Sequence, residues 1–189
     1  GLDQTRGWFY TLLAMNTGLF GKAPYKNVVV NGLVLAEDGR KMSKSLQNYP
    51  PVEHVLDAYG ADAMRYYMIS SPIVRAEDLN FTEKGVDEVM KKLIMRLENV
   101  VAFYEMYKGE GVEGTGDVPK TKSVLDVWIL ARLFETRNQV TTGMENYELD
   151  RASRPLLDFI DELSTWYIRR SRDRFKAGGD DGQSALQTT

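Results

Sequence analysis

Residues 86–104 read Val-Asp-Glu-Val-Met-Lys-Lys-Leu-Ile-Met-Arg-Leu-Glu-Asn-Val-Val-Ala-Phe-Tyr. The apolar residues Val86, Val89, Met90, Leu93, Ile94, Leu97, Val100, Val101 and Tyr104 recur at spacings of three and four, which predicts an amphipathic helix of about six turns. Working outward, residues 109–119 hold four glycines and no periodicity and read as an exposed, mobile loop. Ser123 with Asp126 has the form of a capping box, opening a helix that carries Leu125, Trp128, Ile129, Leu133 and Phe134 and closes before Gly143. A last helix is expected over residues 151–175, with Leu156, Ile160, Leu163 and Tyr167 on one face.

Upstream the pattern is different. Asn27 to Leu35 (NVVVNGLVL) is rich in β-branched residues and is bounded by Pro24 and by the turn residues Glu37-Asp38-Gly39. It reads as a buried strand, with a bulge or a close backbone approach at Gly32. A loop, 36–49, leads to a short helix over 54–59 that stops at Gly60, and Asp62 is placed to cap a second helix ending at Ser71-Pro72. At the N-terminal side, a helix is expected from Trp8 to about Asn16, with Gly18 as its stop. The fold class is therefore mainly α with a small α/β portion. Residues 1–85 form the mixed part and residues 86–189 an antiparallel helix bundle.

Composition narrows the chemistry. A chain of 189 residues can bury a core without staples, and its 43% hydrophobic and 27% charged content is that of a packed globular protein. With no cysteine and one histidine, His54, it offers neither a thiolate nucleophile nor a soft-ligand metal cluster, so no protein-bound metal is expected. His54 reads as a helix-surface side chain. No apolar run is long enough to cross a membrane and no signal peptide is visible, which makes the cytoplasm the expected compartment. A net charge of -3 argues against wholesale wrapping of nucleic acid and leaves room only for local basic patches. The chain opens in mid-pattern, without methionine, and reads as a piece of a longer protein.

One such patch is Lys41-Met42-Ser43-Lys44-Ser45, in the loop after the strand. Two ammonium groups three positions apart, flanked by two hydroxyls, suit a polyphosphate better than a carboxylate. The pentapeptide is also, letter for letter, the KMSKS signature of class I aminoacyl-tRNA synthetases. The opening Gly1-Leu2-Asp3-Gln4-Thr5-Arg6-Gly7-Trp8 resembles the Gly-x-Asp-Gln-x-Arg-Gly-Trp segment of the isoleucyl branch, and Gly60-Ala61-Asp62-Ala63-Met64-Arg65-Tyr66-Tyr67 resembles the segment after their signature. Leu163-Ser164 followed by Trp166-Tyr167-Ile168-Arg169-Arg170 resembles their anticodon-binding helices. Gln47-Asn48-Tyr49-Pro50-Pro51 departs from the Gly-Asn-Val-x-x-Pro of many bacterial members and is closer to the eukaryotic-type clade.

The resemblance implies the C-terminal piece of a Rossmann-type catalytic domain with a stem-contact segment, followed by part of an anticodon-binding domain. It implies ATP with Mg2+, L-isoleucine and tRNA as substrates and partners, with Lys41, Met42, Ser43, Lys44 and Ser45 on ATP. Lys44 and Lys41 are the catalytic candidates. Gly1, Asp3 and Gln4 would lie at the floor of the adenylate and amino-acid site. The histidine-containing signature that the family carries in an N-terminal half is not in these residues, so the piece alone is expected to be inactive. A valyl or leucyl relative, a small nucleotidyltransferase of the same superfamily and a stand-alone helical RNA-binding module with a phosphate-clamping loop are the alternatives.

Arg169, Arg170, Arg172, Arg174 and Lys176 face one acid, Asp173, within residues 165–176. Arg169, Arg172 and Lys176 fall along one side of a helix and are the candidate tRNA contacts, while Arg170 and Arg174 would turn toward the bundle and pair with Asp158, Asp161 or a neighbouring helix. Salt-bridge and RNA roles for the stripe both remain open on the residues alone. Trp166, Tyr167 and Phe175 read as core before they read as base-stacking platforms.

Overall fold

The structure, a computed structural model, describes residues 1–109, 119 and 121–189. It is mainly helical, with one small parallel sheet. A 3-10 turn (Leu2–Arg6) leads into α1 (Trp8–Phe20), which runs through the expected stop at Gly18 and ends at Gly21 in the left-handed region (φ 63°). Gly18 has open space around it, so nothing there forces the chain to leave the helix. No residue of α1 is buried, and Trp8, Tyr10, Met15, Leu19 and Phe20 are all exposed.

The expected nine-residue strand is confined to β1 (Val34–Leu35), paired in parallel with β2 (Leu79–Asn80). Residues 27–33 find no strand partner among the described residues, and a β-branched run cannot form a ladder alone. The close approach at Gly32 is present. Its N–H donates to the Ile73 carbonyl at 2.9 Å, and a Cβ there would sit 1.8 Å from the Glu77 carbonyl oxygen.

Two short helices follow, α2 (Val52–Tyr59) and α3 (Ala61–Ile69). Asp62 lies inside the first turn of α3 and does not cap it; its carboxylate pairs with Arg65 at 3.3 Å. Ser71 caps the next 3-10 turn (Pro72–Arg75) by accepting from Ile73 N–H.

The helix foreseen from Val86 starts earlier. Thr82 caps α4 (Glu83–Val89) through Gly85 N–H, and the helix continues through a π segment (Met90–Ile94) into α5 (Met95–Tyr107). Its buried positions are Val86, Leu93 and Val100, seven residues apart, while Leu97 and Val101, expected on the core face, are exposed. The glycine-rich loop lies outside the described residues except at Gly109 and Pro119.

Next come α6 (Val124–Glu145) and α7 (Leu149–Asp161), a second π segment (Glu162–Ile168), α8 (Arg169–Ala177) and α9 (Gly179–Thr188). The α9 helix was not foreseen, because its opening Gly-Asp-Asp-Gly reads as a loop.

Two clusters hold the molecule together. Val55, Ala63, Phe81 and Val86 form one, flanked by Met42, Tyr67 and Met90. Val100, Ile129, Leu163, Tyr167, Ile168, Phe175, Ala185 and Leu186 form the other, and each fully buried large side chain there contributes about 1.5–3 kcal/mol. The 83–107 helix supplies residues to both. Tyr66, whose hydroxyl donates to the Ser153 carbonyl at 2.8 Å, and Arg75, whose guanidinium pairs with buried Asp150, tie the first part to α7.

Candidate functional site

The signature loop is built in two tiers on the end of β1. In the first, Ala36 N–H donates to the Arg40 carbonyl at 2.8 Å and Gly39 N–H to the Ala36 carbonyl at 2.9 Å. Gly39 takes φ 78°, the left-handed conformation that a tight turn demands of glycine. The turn returns Lys41 to bridge Leu35. Asp38 holds Arg40 through its backbone N–H at 3.0 Å and its Nε at 2.6 Å, and those two bonds keep the Asp38 carboxyl below its ordinary range. Arg40 is thereby engaged inside the turn.

The second tier presents the signature. Met42 packs against the cluster around Val55 and Phe81, anchoring the loop from beneath. Ser43 accepts at its carbonyl from Leu46 N–H at 3.2 Å and Gln47 N–H at 3.0 Å, and its hydroxyl lies 2.8 Å from that of Ser45. Asn48 closes the turn from the side. Lys41 and Lys44 are exposed, and among the described residues neither is tied to a carboxylate, in contrast to Arg40. The loop therefore displays two exposed cations and two hydroxyls on a hydrogen-bonded frame.

Gly1, Asp3 and Gln4 sit on the 3-10 turn against α1. Gln4 Nε2 donates to Asp3 at 3.1 Å, and Gln4 Oε1 accepts from Trp8 N–H at 3.2 Å. No hydrogen bond or ion pair among the described residues links this turn to the signature loop. His54 is exposed on α2, 3.3 Å from Glu83.

On α8, Arg169, Arg172 and Lys176 are exposed along one side, while Ser171 and Phe175 are buried. Tyr167 and Phe175 are core, whereas Trp166 is half exposed, with the Arg170 guanidinium 3.8 Å above its ring. Arg170 thus takes the aromatic partner four residues away and does not turn into the bundle. Asp161 is paired with Arg96 instead. Arg174 does enter the bundle, where it meets Asp126 on α6 and Asp181 on α9.

Asp126 was missed as anything but a cap. It is fully buried and receives bonds from Arg174, Thr121, Tyr167 and Ser184. Burial alone would push its carboxyl up, but those bonds hold it down at about 2. Tyr167 is driven the other way, above its ordinary value, by burial and by the neighbouring Asp126 charge. The Ser-x-x-Asp spacing was the only local signal, and it pointed to the wrong partner.

Residues 1–80 match the family described as tRNA synthetases class I (I, L, M and V), and residues 126–189 match the anticodon-binding domain of tRNA ligase. The chain is thus similar to class I tRNA synthetases at one end and to their anticodon-binding domain at the other. The isoleucine–tRNA ligase of Chlamydia trachomatis serovar A is 46% identical over 193 aligned residues, covering 100% of this chain and 18% of that protein. That of Bdellovibrio bacteriovorus is 49% identical over 180 residues, covering 95% of this chain and 17% of the relative. The chain thus spans under a fifth of the length of these synthetases. Among solved structures, the LeuRS chain of a ternary LeuRS-tRNA-LeuAMS complex from Agrobacterium radiobacter K84 shares the fold at 17% identity and a TM-score of 0.65, over 95% of this chain and 23% of that one. The relatives are synthetases, and no helix among the described residues is long and apolar enough to cross a membrane.

Proposed function

We propose that the whole protein is a cytoplasmic isoleucine–tRNA ligase and that this chain supplies its signature loop and part of its anticodon-binding region. Residues 1–85 belong to a Rossmann-type catalytic domain with a stem-contact segment, and residues 86–189 to an antiparallel anticodon-binding bundle. The exposed Trp8, Tyr10, Leu19 and Phe20 of α1 are what a piece of a larger α/β layer shows. Activation is an in-line attack of the isoleucine carboxylate on the α-phosphate of ATP, with pyrophosphate leaving. Charge grows on the leaving group, and positioned cations stabilise it as it grows. Lys44, with Lys41 second, supplies that charge, while Met42, Ser43 and Ser45 shape the loop around the phosphates.

Magnesium arrives as part of the nucleotide substrate. Among the described residues no group of three His, Asp or Glu side chains is placed to hold a metal, and magnesium is ordinarily carried by the phosphates themselves. Gly1, Asp3 and Gln4 line the adenylate site, with the Asp3 carboxylate available to ribose hydroxyls or the substrate ammonium. The acceptor of the isoleucyl group is tRNA, bound in part through α8, with AMP leaving from the adenylate.

The observation that carries this reading is the signature loop itself, two exposed lysines with no carboxylate partner among the described residues, on a hydrogen-bonded turn after a parallel strand, in a chain nearly half identical to isoleucine–tRNA ligases. In the whole enzyme, Lys44→Ala is expected to lower adenylate formation by two to four orders of magnitude, about 3–5 kcal/mol of barrier, with isoleucine affinity little changed. Pre-steady-state pyrophosphate release decides it: an unchanged chemical rate with weakened isoleucine binding overturns the role of Lys44. The chain alone is expected to show only background isoleucine-dependent exchange of pyrophosphate into ATP.

A further inference from the structure

Asn48 stands three residues beyond the signature and is half-buried, yet its side chain makes two bonds back into it. Its Oδ1 accepts from Ser43 N–H at 2.9 Å, and its Nδ2 donates to the Lys41 carbonyl at 3.2 Å. The two bonds straddle Met42, which is held from the other side by the Val55 and Phe81 cluster. Residues 41–43 are therefore fixed on two sides.

Ser43 is the pivot of the arrangement. Its N–H is taken by Asn48, its carbonyl by Leu46 and Gln47, and its hydroxyl by Ser45, so that Lys44 is attached directly to a residue with every polar group engaged. We infer that Asn48 is a positioning residue for amino-acid activation, fixing the backbone that carries Lys41 and Lys44 so that their ammonium groups meet the phosphates at no cost in loop ordering. This rests on the reading of the loop as an ATP site.

The chemistry selects asparagine. The clamp needs an acceptor for one backbone N–H and a donor for one backbone carbonyl on a single short side chain. Aspartate retains the acceptor but sets a carboxylate against the Lys41 carbonyl and brings a negative charge toward the triphosphate. Alanine removes both bonds, and glutamine carries the same groups one methylene too far. Catalysis is sensitive to such placement, because small displacements of a positioned group cost large factors in rate.

The test uses the whole enzyme with saturating isoleucine and follows single-turnover adenylate formation. Asn48→Ala is expected to slow the step about 10- to 100-fold, with the KM for isoleucine within about two-fold of the parent and the melting temperature within about 2 °C. Asn48→Asp, which preserves the Ser43 bond and so half of the clamp's structural role, is expected to be at least as slow. In a Lys44→Ala background, Asn48→Ala should add less than about three-fold, because it acts through that lysine. Equal losses in both backgrounds, or a parental rate per folded molecule in both Asn48 variants, would overturn the assignment of Asn48 alone. A silent Lys44→Ala would overturn the reading of the loop beneath it.

Discussion

Arg174 of α8 delivers both terminal guanidinium nitrogens to the carboxylate of Asp126 on α6, at 2.6 and 2.9 Å, and the carboxylate is wholly out of contact with solvent. Tyr167 on the preceding π segment and Ser184 on α9 donate to it at 2.9 Å each, and Thr121 at 2.7 Å completes its shell. One charge thus ties together the three helices that close the second cluster. A buried ion pair is a poor source of net stability, since desolvation consumes most of the attraction, but losing one partner is expensive.

Asp126→Asn is therefore expected to destabilise the chain by about 3 kcal/mol at neutral pH, near the low end for a broken buried pair because Asp181 still neutralises Arg174. The same carboxylate gives the fold an acid limb. Its pKa is about 2 in the folded chain against about 3.9 unfolded, so its stabilising effect is full above pH 4–5 and disappears as pH falls through 2. Urea titrations at pH 7 and pH 3 test this: the parent should lose stability over that interval, by about 1 kcal/mol from this group, and Asp126→Asn should lose less. Equal acid sensitivity in the two proteins would assign the limb to other groups.

The helical half was readable because its signals are local. The spacing of Val86, Leu93 and Val100 is set by the helix itself and needs no knowledge of what covers it. Some failures are local, as where Gly18 fails to stop α1 and Gly-Asp-Asp-Gly opens α9, and others are long-range. The run 27–35 has strand chemistry throughout, but only Val34 and Leu35 gain a partner, and that partner, Leu79–Asn80, is two residues long with an asparagine that strands disfavour. Asp126 was assigned to Ser123, three residues away, when its true partner is 48 residues on. The signature loop was legible as chemistry from five letters, whereas its clamp at Asn48 depends on a turn that places Gln47 at φ 47°, a conformation no sequence rule demands of glutamine.

Gly32 offers a sharper test of how the loop is seated. A methyl group there would meet the Glu77 backbone, an obstacle that cannot rotate away. Leu33 next to it binds the same segment, its N–H donating to Asp78 Oδ1 at 3.0 Å and its carbonyl accepting from Leu79 N–H at 2.9 Å, and the Leu35 carbonyl accepts from Phe81 N–H at 2.9 Å. Gly32→Ala is expected to force the two segments apart, to cost about 2–4 kcal/mol in thermal unfolding, and to lower activation in the whole enzyme by loosening β1 beneath the signature. A melting temperature matching the parent would mean that the segments separate freely.

Ser171 is expected to act in the opposite direction. It is fully buried on α8, and its hydroxyl has no hydrogen-bond partner among the described residues. An unpaired buried hydroxyl carries a desolvation penalty, and alanine is also the better helix former. Ser171→Ala should stabilise the chain by about 1 kcal/mol, seen as a higher urea midpoint with the same slope. A loss of stability would show that the hydroxyl has a partner after all.

The remaining prediction concerns the outer side of α8. Arg169, Arg172 and Lys176 are exposed, stand about 5 and 11 Å apart along the axis at 1.5 Å per residue, and are not spent on carboxylates among the described residues. Arg174, by contrast, is held in the bundle and Arg170 lies over Trp166, so the basic run divides into one structural charge, one stacked charge and three available to phosphates. Replacing Arg169, Arg172 and Lys176 together by glutamine in the whole enzyme should weaken tRNA binding and reduce the slope of log affinity against log salt by about 2–3, since each of the three phosphate contacts releases about 0.7–0.9 of a counterion. Thermal stability should move little, because exposed charges without partners contribute little to folding. Filter binding across a salt series separates the outcomes: an unchanged affinity and slope would leave the stripe a solvated surface, and a lowered melting temperature would make it structural.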